Sequence, residues 1–396
     1  MNVFEEFRLS NQLITTIKKL GFTEPTQIQK ESIPYIMEGK DVIGESATGS
    51  GKTLAFGCAI AEHVSPEGGL QALILVPTRE LAEQVKTSLK QFSIHKKINI
   101  ISVYGGVSIN PQINELSRAN AVVATPGRIL DHLERRTINL SKVKLLVLDE
   151  ADRMFDMGFM DDVRKIIKVC PVKRQTLFFS ATLAPRVRSL AKQFMINPVE
   201  VSAKNMVDPS KLKQIYYDVP KNLKLSLFIH LLKNEKSGLV MVFCNTRNTA
   251  DFVFKNLKAN KINAIVIHGG LSQNKRTRTI ELFHEGRVNV LVCTDVASRG
   301  LHIDNVSHIY NFDLPKDSKE YVHRIGRTAR AGEEGKVVNL LCETDYDNFA
   351  RIQDEYRNFT IEKTERPYLE RVVTVRNENF RRPLRPRQFN PRYGRR

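Results

Sequence analysis

The chain has 396 residues, 41% of them hydrophobic and 26% charged, and a formal net charge of +18. That balance fits a globular protein of two or three domains, each able to bury its own core. No apolar run reaches membrane-spanning length, and Met1–Glu6 lacks the basic-then-apolar pattern of a signal peptide. The five cysteines are scattered, with no Cys-x-x-Cys pair. A disulfide framework or zinc site is therefore not expected, and a reducing cytoplasm is. Residues 371–396 hold nine arginines and one glutamate, or +8, which leaves +10 on the first 370 residues. A basic body with a more basic tail calls for a polyanionic partner, nucleic acid first.

Residues 1–40 read as helical, interrupted at Gly21–Gln29, where Pro25 fixes a turn. The Gln29 amide offers a donor and an acceptor suited to the complementary edge of adenine. Phe22 or Phe4 offers a ring to cover its face. A helix cap and a core contact are the other reading. Asp41–Gly44 reads as a strand and Leu54–Phe56 as the opening of a helix. Between them Ser46-Ala47-Thr48-Gly49-Ser50-Gly51-Lys52-Thr53 forms a phosphate loop. Its glycines let N–H groups approach phosphates, Lys52 reaches the β and γ oxygens, and Thr53 can ligate magnesium. The usual pattern has Gly or Ala where Ser46 stands, a change compact enough to leave the loop plausible.

Leu70–Val76 reads as a buried strand ending in Pro77-Thr78-Arg79-Glu80-Leu81. Gly105-Gly106 follows the strand Ile100–Tyr104, and Thr125-Pro126-Gly127-Arg128 follows Ala121–Ala124. Each set joins a hydroxyl or arginine to a permissive backbone at a strand's end. Those parts hold a sugar–phosphate chain without reading bases. Lys144–Asp152 then gives a short apolar strand, expected to be central in a parallel sheet. At its carboxyl end stand Asp149, Glu150 and Asp152, which need a cation if they are buried. After the strand Gln175–Phe179, the hydroxyls of Ser180 and Thr182 either bond those carboxylates and relay their state or cap a helix. Lys204–Ser210 breaks the periodicity and reads as a linker.

A second alternating set begins near Lys211, with strands expected at Gly238–Phe243, Ala264–Ile267, Asn289–Cys293, Ser307–Asn311 and Lys336–Leu341. It has no phosphate loop. It carries Gln273-x-x-Arg276, Thr294-Asp295 leading to Arg299-Gly300, and His323-Arg324-Ile325-Gly326-Arg327-Thr328-Ala329-Arg330. Arg324, Arg327 and Arg330 recur every three residues and are expected to share one helical face aimed at a phosphate from the first half. From Arg366 onward prolines exclude regular structure, and arginines alternate with Phe380, Phe389 and Tyr393 in a tail suited to gripping RNA.

On these motifs the chain resembles the DEAD-box RNA helicases. Asp149-Glu150-Ala151-Asp152 is the name motif, and the phosphate loop, Pro77–Leu81, Thr125–Arg128, Ser180–Thr182 and His323–Arg330 stand in the family's order. Gly21–Gln29 resembles the family's adenine-reading motif. The resemblance covers roughly residues 1–365 and implies an α/β protein of two tandem RecA-like domains. Their expected limits are 1–203 and 211–365, with a linker at 204–210 and an arginine-rich tail at 366–396. It implies ATP and Mg2+ between the domains and RNA across both.

By motif, Phe22 and Gln29 would read adenine, Ser46–Thr53 would hold phosphates, and Thr53 and Asp149 would place magnesium, Asp149 through water. Glu150 would orient or deprotonate the attacking water, and Arg327 and Arg330 would be arginine fingers. RNA contacts would come from Thr78, Arg79, Gly106, Thr125, Arg128, Gln273, Arg276 and Thr294. Ser180, Thr182, Asp152, Asp295, Arg299 and His323 would couple hydrolysis to RNA separation. Besides Ser46, His302 stands where the family usually has an aspartate that touches the ribose, and Ala329 replaces a glycine.

The expected activity is RNA-stimulated, ATP-dependent, non-processive unwinding by a monomer with no membrane association. An ATP-gated RNA clamp without unwinding would carry the same motifs. A passive RNA chaperone acting through the tail and a DNA helicase are the other readings.

Overall fold

The computed structural model describes residues 3–46, 49–183, 185–203, 212–298, 303, 306–328, 335–370 and 372–375. Strands of the first half are β1 (Val42–Ser46), β2 (Ala72–Leu75), β3 (Ile100–Val103), β4 (Ala121–Ala124), β5 (Leu145–Leu148), β6 (Gln175–Ser180) and β7 (Val199–Ala203). Those of the second are β8 (Leu212–Asp218), β9 (Leu239–Cys244), β10 (Ala264–Ile267), β11 (Val290–Thr294), β12 (Val306–Asn311), β13 (Gly335–Leu341) and β14 (Ile361–Thr364). The first sheet runs β3-β4-β2-β5-β6-β1-β7 and the second β10-β11-β9-β12-β13-β8-β14. Subtracting seven from each label in the second sheet reproduces the first, so the two halves share one topology. All strand pairs are parallel.

Parallel sheets are covered on both faces, which is why β2, β4 and β5 are apolar throughout and fully buried. Side chains alternate along β5: Leu145 and Val147 join the core under the helices Gln27–Met37 and Lys52–His63, while Leu146 and Leu148 join the core on the opposite face. Burying one such side chain contributes about 2 kcal/mol. β5 is the fourth of seven strands, as its composition predicts, and Leu148 is level with Leu75 on β2 and Phe178 on β6. The three carboxylates that follow therefore emerge mid-sheet, beside the carboxyl end of β6 and one strand away from β1.

Sequence periodicity misses β7, β8 and β14. Val199–Ala203 and Ile361–Thr364 are edge strands with polar, half-exposed residues, and Leu212–Asp218 intersperses Lys, Gln and Tyr between its aliphatics. None shows the continuous apolar run of a central strand. The predicted linker at 204–210 lies outside the described residues, as do residues 376–396 of the tail.

Candidate active site

The phosphate loop starts from the last residue of β1. Ser46 is buried, and its carbonyl accepts a 2.8 Å hydrogen bond from Lys52 Nζ while Ser50 Oγ bonds Ser46 Oγ at 2.8 Å. Gly51, in the left-handed region at φ 89°, caps the helix Lys52–His63. A Cβ there would lie 2.3 Å from Gln29 Nε2 and in a backbone region side chains avoid, so the position requires glycine. Gln29 is both cap and reader of the loop. Its Oε1 accepts from Thr26 N at 2.9 Å, and its Nε2 donates to Gly51 O at 2.9 Å. Thr26 Oγ1 adds a 2.7 Å bond to Ser50 O. Ala47 and Thr48 lie outside the described residues.

Asp149, Glu150 and Asp152 are all buried. Glu150 sits at φ 54°, ψ 49°, a left-handed conformation rare outside glycine, and its N–H donates to Asp149 Oδ1 at 3.0 Å. This kink ends the strand and starts the helix Ala151–Asp156. Burial pushes the Lys52 ammonium down, and the neighbouring Asp149, Glu150 and Asp152 push it back up. Burial and then the Glu150 charge push the Asp152 carboxyl up. Ser180 Oγ accepts from Asp152 N at 3.3 Å and donates to Thr182 O at 2.7 Å; Thr182 N donates to Asp152 Oδ2 at 3.2 Å. Ser180 thus caps the start of the helix, while Thr182 reaches the Asp152 carboxylate.

One residue at this centre was not anticipated. Arg153, almost fully buried, approaches Glu150 Oε2 at 3.4 Å through Nη1. Its three-residue spacing from Glu150 was the available signal.

A cavity of about 1120 Å³ opens over Lys52, Asp149 and Glu150. Phe22 lines it, its ring edge-on to Phe92 at 6.2 Å, whereas Phe4 is fully buried in the core and cannot cover a base. The far wall belongs to the second half: Thr277, Ile280, Glu281 and His284 on the helix Gln273–His284.

The expected RNA residues of the first half converge. Thr78 caps the helix Arg79–Phe92, and the Arg79 guanidinium covers Gly106, where a Cβ would lie 1.9 Å from Nη1. Arg128 follows Thr125 in the helix Pro126–Glu134 and bonds Val107 O at 2.9 Å and Gln112 Oε1 at 3.2 Å. Both guanidinium groups come within 4.0 Å of a Cβ built on Gly105. In the second half Thr294 ends β11. Gln273 Nε2 donates to Glu80 Oε1 at 3.1 Å and Arg276 Nη2 meets the same oxygen at 3.0 Å. Their polar atoms join the two halves. Glu80 had no signal in sequence, because its partners lie some 193 residues away.

The arginine motif needs a correction. The helix Ser318–Ile325 ends before Arg327, so the three-residue recurrence does not make one face. Arg324 points inward and is fully buried: Nε and Nη2 bind the Asp295 carboxylate at 2.6 and 2.7 Å, Nη1 reaches Asn311 Oδ1 at 2.9 Å, and Nη2 reaches Asn245 Oδ1 at 3.0 Å. Asp295 is thereby the carboxylate anchor of this arginine. The acid comes from another strand end, which a search for acidic neighbours in sequence could not find. His323 lies on the same helix and Arg327 is buried just beyond it. Arg299, His302, Ala329 and Arg330 lie outside the described residues.

Residues 26–190 match the DEAD/DEAH box helicase family, and residues 223–332 match the helicase conserved C-terminal domain. The chain is 40% identical over 374 residues to the DEAD-box ATP-dependent RNA helicase CshA of Bacillus licheniformis, spanning 93% of this chain and 76% of that protein. Among solved structures it resembles S. cerevisiae Dbp5 bound to RNA and ADP BeF3, with a TM-score of 0.84 and 31% identity over 92% of this chain and 96% of that one. A DEAD box protein from Methanococcus jannaschii matches at 38% identity and a TM-score of 0.56, covering 91% and 98% of the two chains. With the motif-bearing parts of both halves matched and a relative aligned along nearly the whole length, the chain belongs to the DEAD-box ATP-dependent RNA helicases.

Proposed function

We propose that this helicase hydrolyses ATP in an RNA-stimulated manner and opens short RNA duplexes locally. Residues 1–203 and 211–365 act as the two lobes. The observation that carries the reading is the shared cavity. One wall holds Lys52, Asp149 and Glu150, the other is the helix Gln273–His284, and Glu80 bridges the lobes beside it. A TM-score of 0.84 against Dbp5 with RNA and ADP BeF3 requires both lobes to superimpose together, which supports a closed working state.

The residues present fit a magnesium-bound triphosphate. The left-handed Gly51 leaves the start of the helix Lys52–His63 bare of side chain, and Lys52 and Asp149 lie buried beside it. Thr53 and, through water, Asp149 would hold Mg2+, which when bound neutralises phosphate charge. Lys52 exchanges the Ser46 carbonyl for phosphate oxygens, and Gln29 and Phe22 receive the base. Glu150 orients the attacking water and accepts its proton. Arg327 and Arg330 stabilise the transferring group from the second lobe; such fingers supply about 10³–10⁵ in rate.

RNA laid on Arg79, Gly106 and Arg128 in one lobe and Thr294 in the other favours closure, and by linkage closure favours RNA. Asp152, Ser180 and Thr182 carry the state of the site towards that surface. A strand held across both lobes and bent cannot stay stacked in a duplex. At about 1.4 kcal/mol per step, taking the DNA figure as proxy, opening six pairs costs about 7 kcal/mol. Short duplexes are within reach of one closure event. The test is Glu150→Gln, which removes the proton acceptor while keeping the shape of the site. Turnover should vanish while ATP and RNA still bind; full hydrolysis by this variant would remove Glu150 from the mechanism.

A further inference from the structure

Three polar side chains of the second half stand where the strand pattern calls for aliphatics. On β12, β13 and β8, Asn311, Asn339 and Gln214 share a sheet face with Ile309, Val337 and Leu212. All three are buried, Asn311 and Asn339 completely. A carboxamide at such a position destabilises the core unless it is fully bonded.

Each of them is bonded, and the bonds form one chain. Arg324 Nη1 donates to Asn311 Oδ1 at 2.9 Å, and Asn311 Nδ2 donates to Asn339 Oδ1 at 2.8 Å. Asn339 Nδ2 donates to Tyr321 Oη at 3.2 Å and to Ile215 O at 3.1 Å. Tyr321 Oη then donates to Gln214 Oε1 at 2.8 Å. A guanidinium can only donate and a backbone carbonyl can only accept, so both ends impose the same direction and each asparagine has one way to point.

The chain leaves the helix Ser318–Ile325 at Arg324 and returns to it at Tyr321, three residues earlier. In between it crosses Asn311 and Asn339, which are register partners on adjacent strands. Two side chains about one turn apart are thereby pinned to the sheet, and sliding the helix or rolling it about its axis breaks both attachments. The Arg324 carbonyl in turn accepts from Arg327 N at 3.1 Å. The backbone that carries Arg327 therefore leaves directly from the pinned turn.

We propose that Asn311, Asn339 and Tyr321 are positioning residues for ATP hydrolysis: they fix the end of the helix Ser318–Ile325 and, through Arg324, set where Arg327 meets the transferring phosphate. This rests on the reading of Arg327 as an arginine finger. A fully satisfied buried network suits that task, because it admits one arrangement where an aliphatic core would tolerate several.

The experiment measures single-turnover hydrolysis by the full-length protein at saturating ATP and RNA, with Tm and the Kd for an ATP analogue. Asn339→Leu and Tyr321→Phe are each made alone and combined with Arg327→Ala. Asn339→Leu keeps the volume and leaves Asn311 Nδ2 without an acceptor. Tyr321→Phe removes a single oxygen and serves as the milder variant if the first does not fold. Asn339→Leu should slow hydrolysis about 10-fold and Tyr321→Phe about 3-fold, with the Kd within about 2-fold of the wild type. In the Arg327→Ala background neither should slow it further, because the residue they position is gone. The same fold-loss in both backgrounds, or no loss beside a native Arg327, overturns the inference. Hydrolysis undiminished by Arg327→Ala alone instead overturns the arginine-finger reading on which it rests.

Discussion

Arg276 and Glu80, from opposite halves of the chain, meet at 3.0 Å with both side chains largely buried. A buried charge is retained only with a partner, and here each partner is available only when the lobes are together. The pair therefore ties the two halves together beside the cavity they share.

Glu80→Gln keeps an acceptor for Gln273 but removes the charge facing Arg276. We expect RNA-stimulated turnover to fall about 10-fold, or about 1.4 kcal/mol, with ATP binding to the isolated first lobe's motifs unchanged. A fluorescence distance measurement between labels on the two lobes, with RNA and an ATP analogue, should show a smaller closed fraction. An undiminished closed fraction would show that the pair is incidental.

Gln29 ties the adenine-reading segment to the phosphate loop through Gly51 O. Gln29→Glu keeps the oxygen that accepts from Thr26 N but cannot donate to Gly51 O, leaving a carboxylate against a carbonyl. The Kd for ATP should rise about 10-fold or more, in line with losing one hydrogen bond at a nearly buried site and setting like partial charges together. Equilibrium binding of a fluorescent ATP analogue checks this. An unchanged Kd would mean the loop holds its shape without Gln29.

His132, fully buried beneath the Arg128 segment, is held by Thr137 Oγ1 at 2.8 Å and Gln112 Oε1 at 3.3 Å. Burial, then the nearby Arg128 charge, pushes its imidazole below the usual value of 6.5. The folded state binds this proton less readily than the unfolded chain. Its contribution to stability is therefore complete above about pH 6.5 and is lost as pH falls through the folded-state value. Urea unfolding at pH 7.5 and 5.5 should show a smaller acid loss for His132→Gln than for the wild type. Equal losses would assign the acid sensitivity to other groups.

The apolar strands β2, β4 and β5 and the loop at Gly49–Thr53 are legible because their chemistry is local: a run of buried aliphatics, or glycines beside a lysine. The edge strands β7 and β14 are not, because half their surface meets water and their residues resemble loop. The same limit explains the site. Lys52, Asp149 and Glu150 follow the carboxyl ends of β1 and β5, which flank β6, so a strand-end motif locates them. Arg324 reads as a phosphate ligand from its neighbours in sequence, yet its partner Asp295 arrives from another strand. Glu80 is silent for the same reason. Residues whose role is set by tertiary contact leave no trace in spacing.

The most direct test of a site shared between the lobes is single-turnover hydrolysis by Arg327→Ala at saturating ATP and RNA. If the second lobe completes the shell around the transferring phosphate, the rate should fall by about 10³ or more, with ATP binding by the first lobe retained. A rate within a few-fold of the wild type would place the chemistry in the first lobe alone and contradict the shared site.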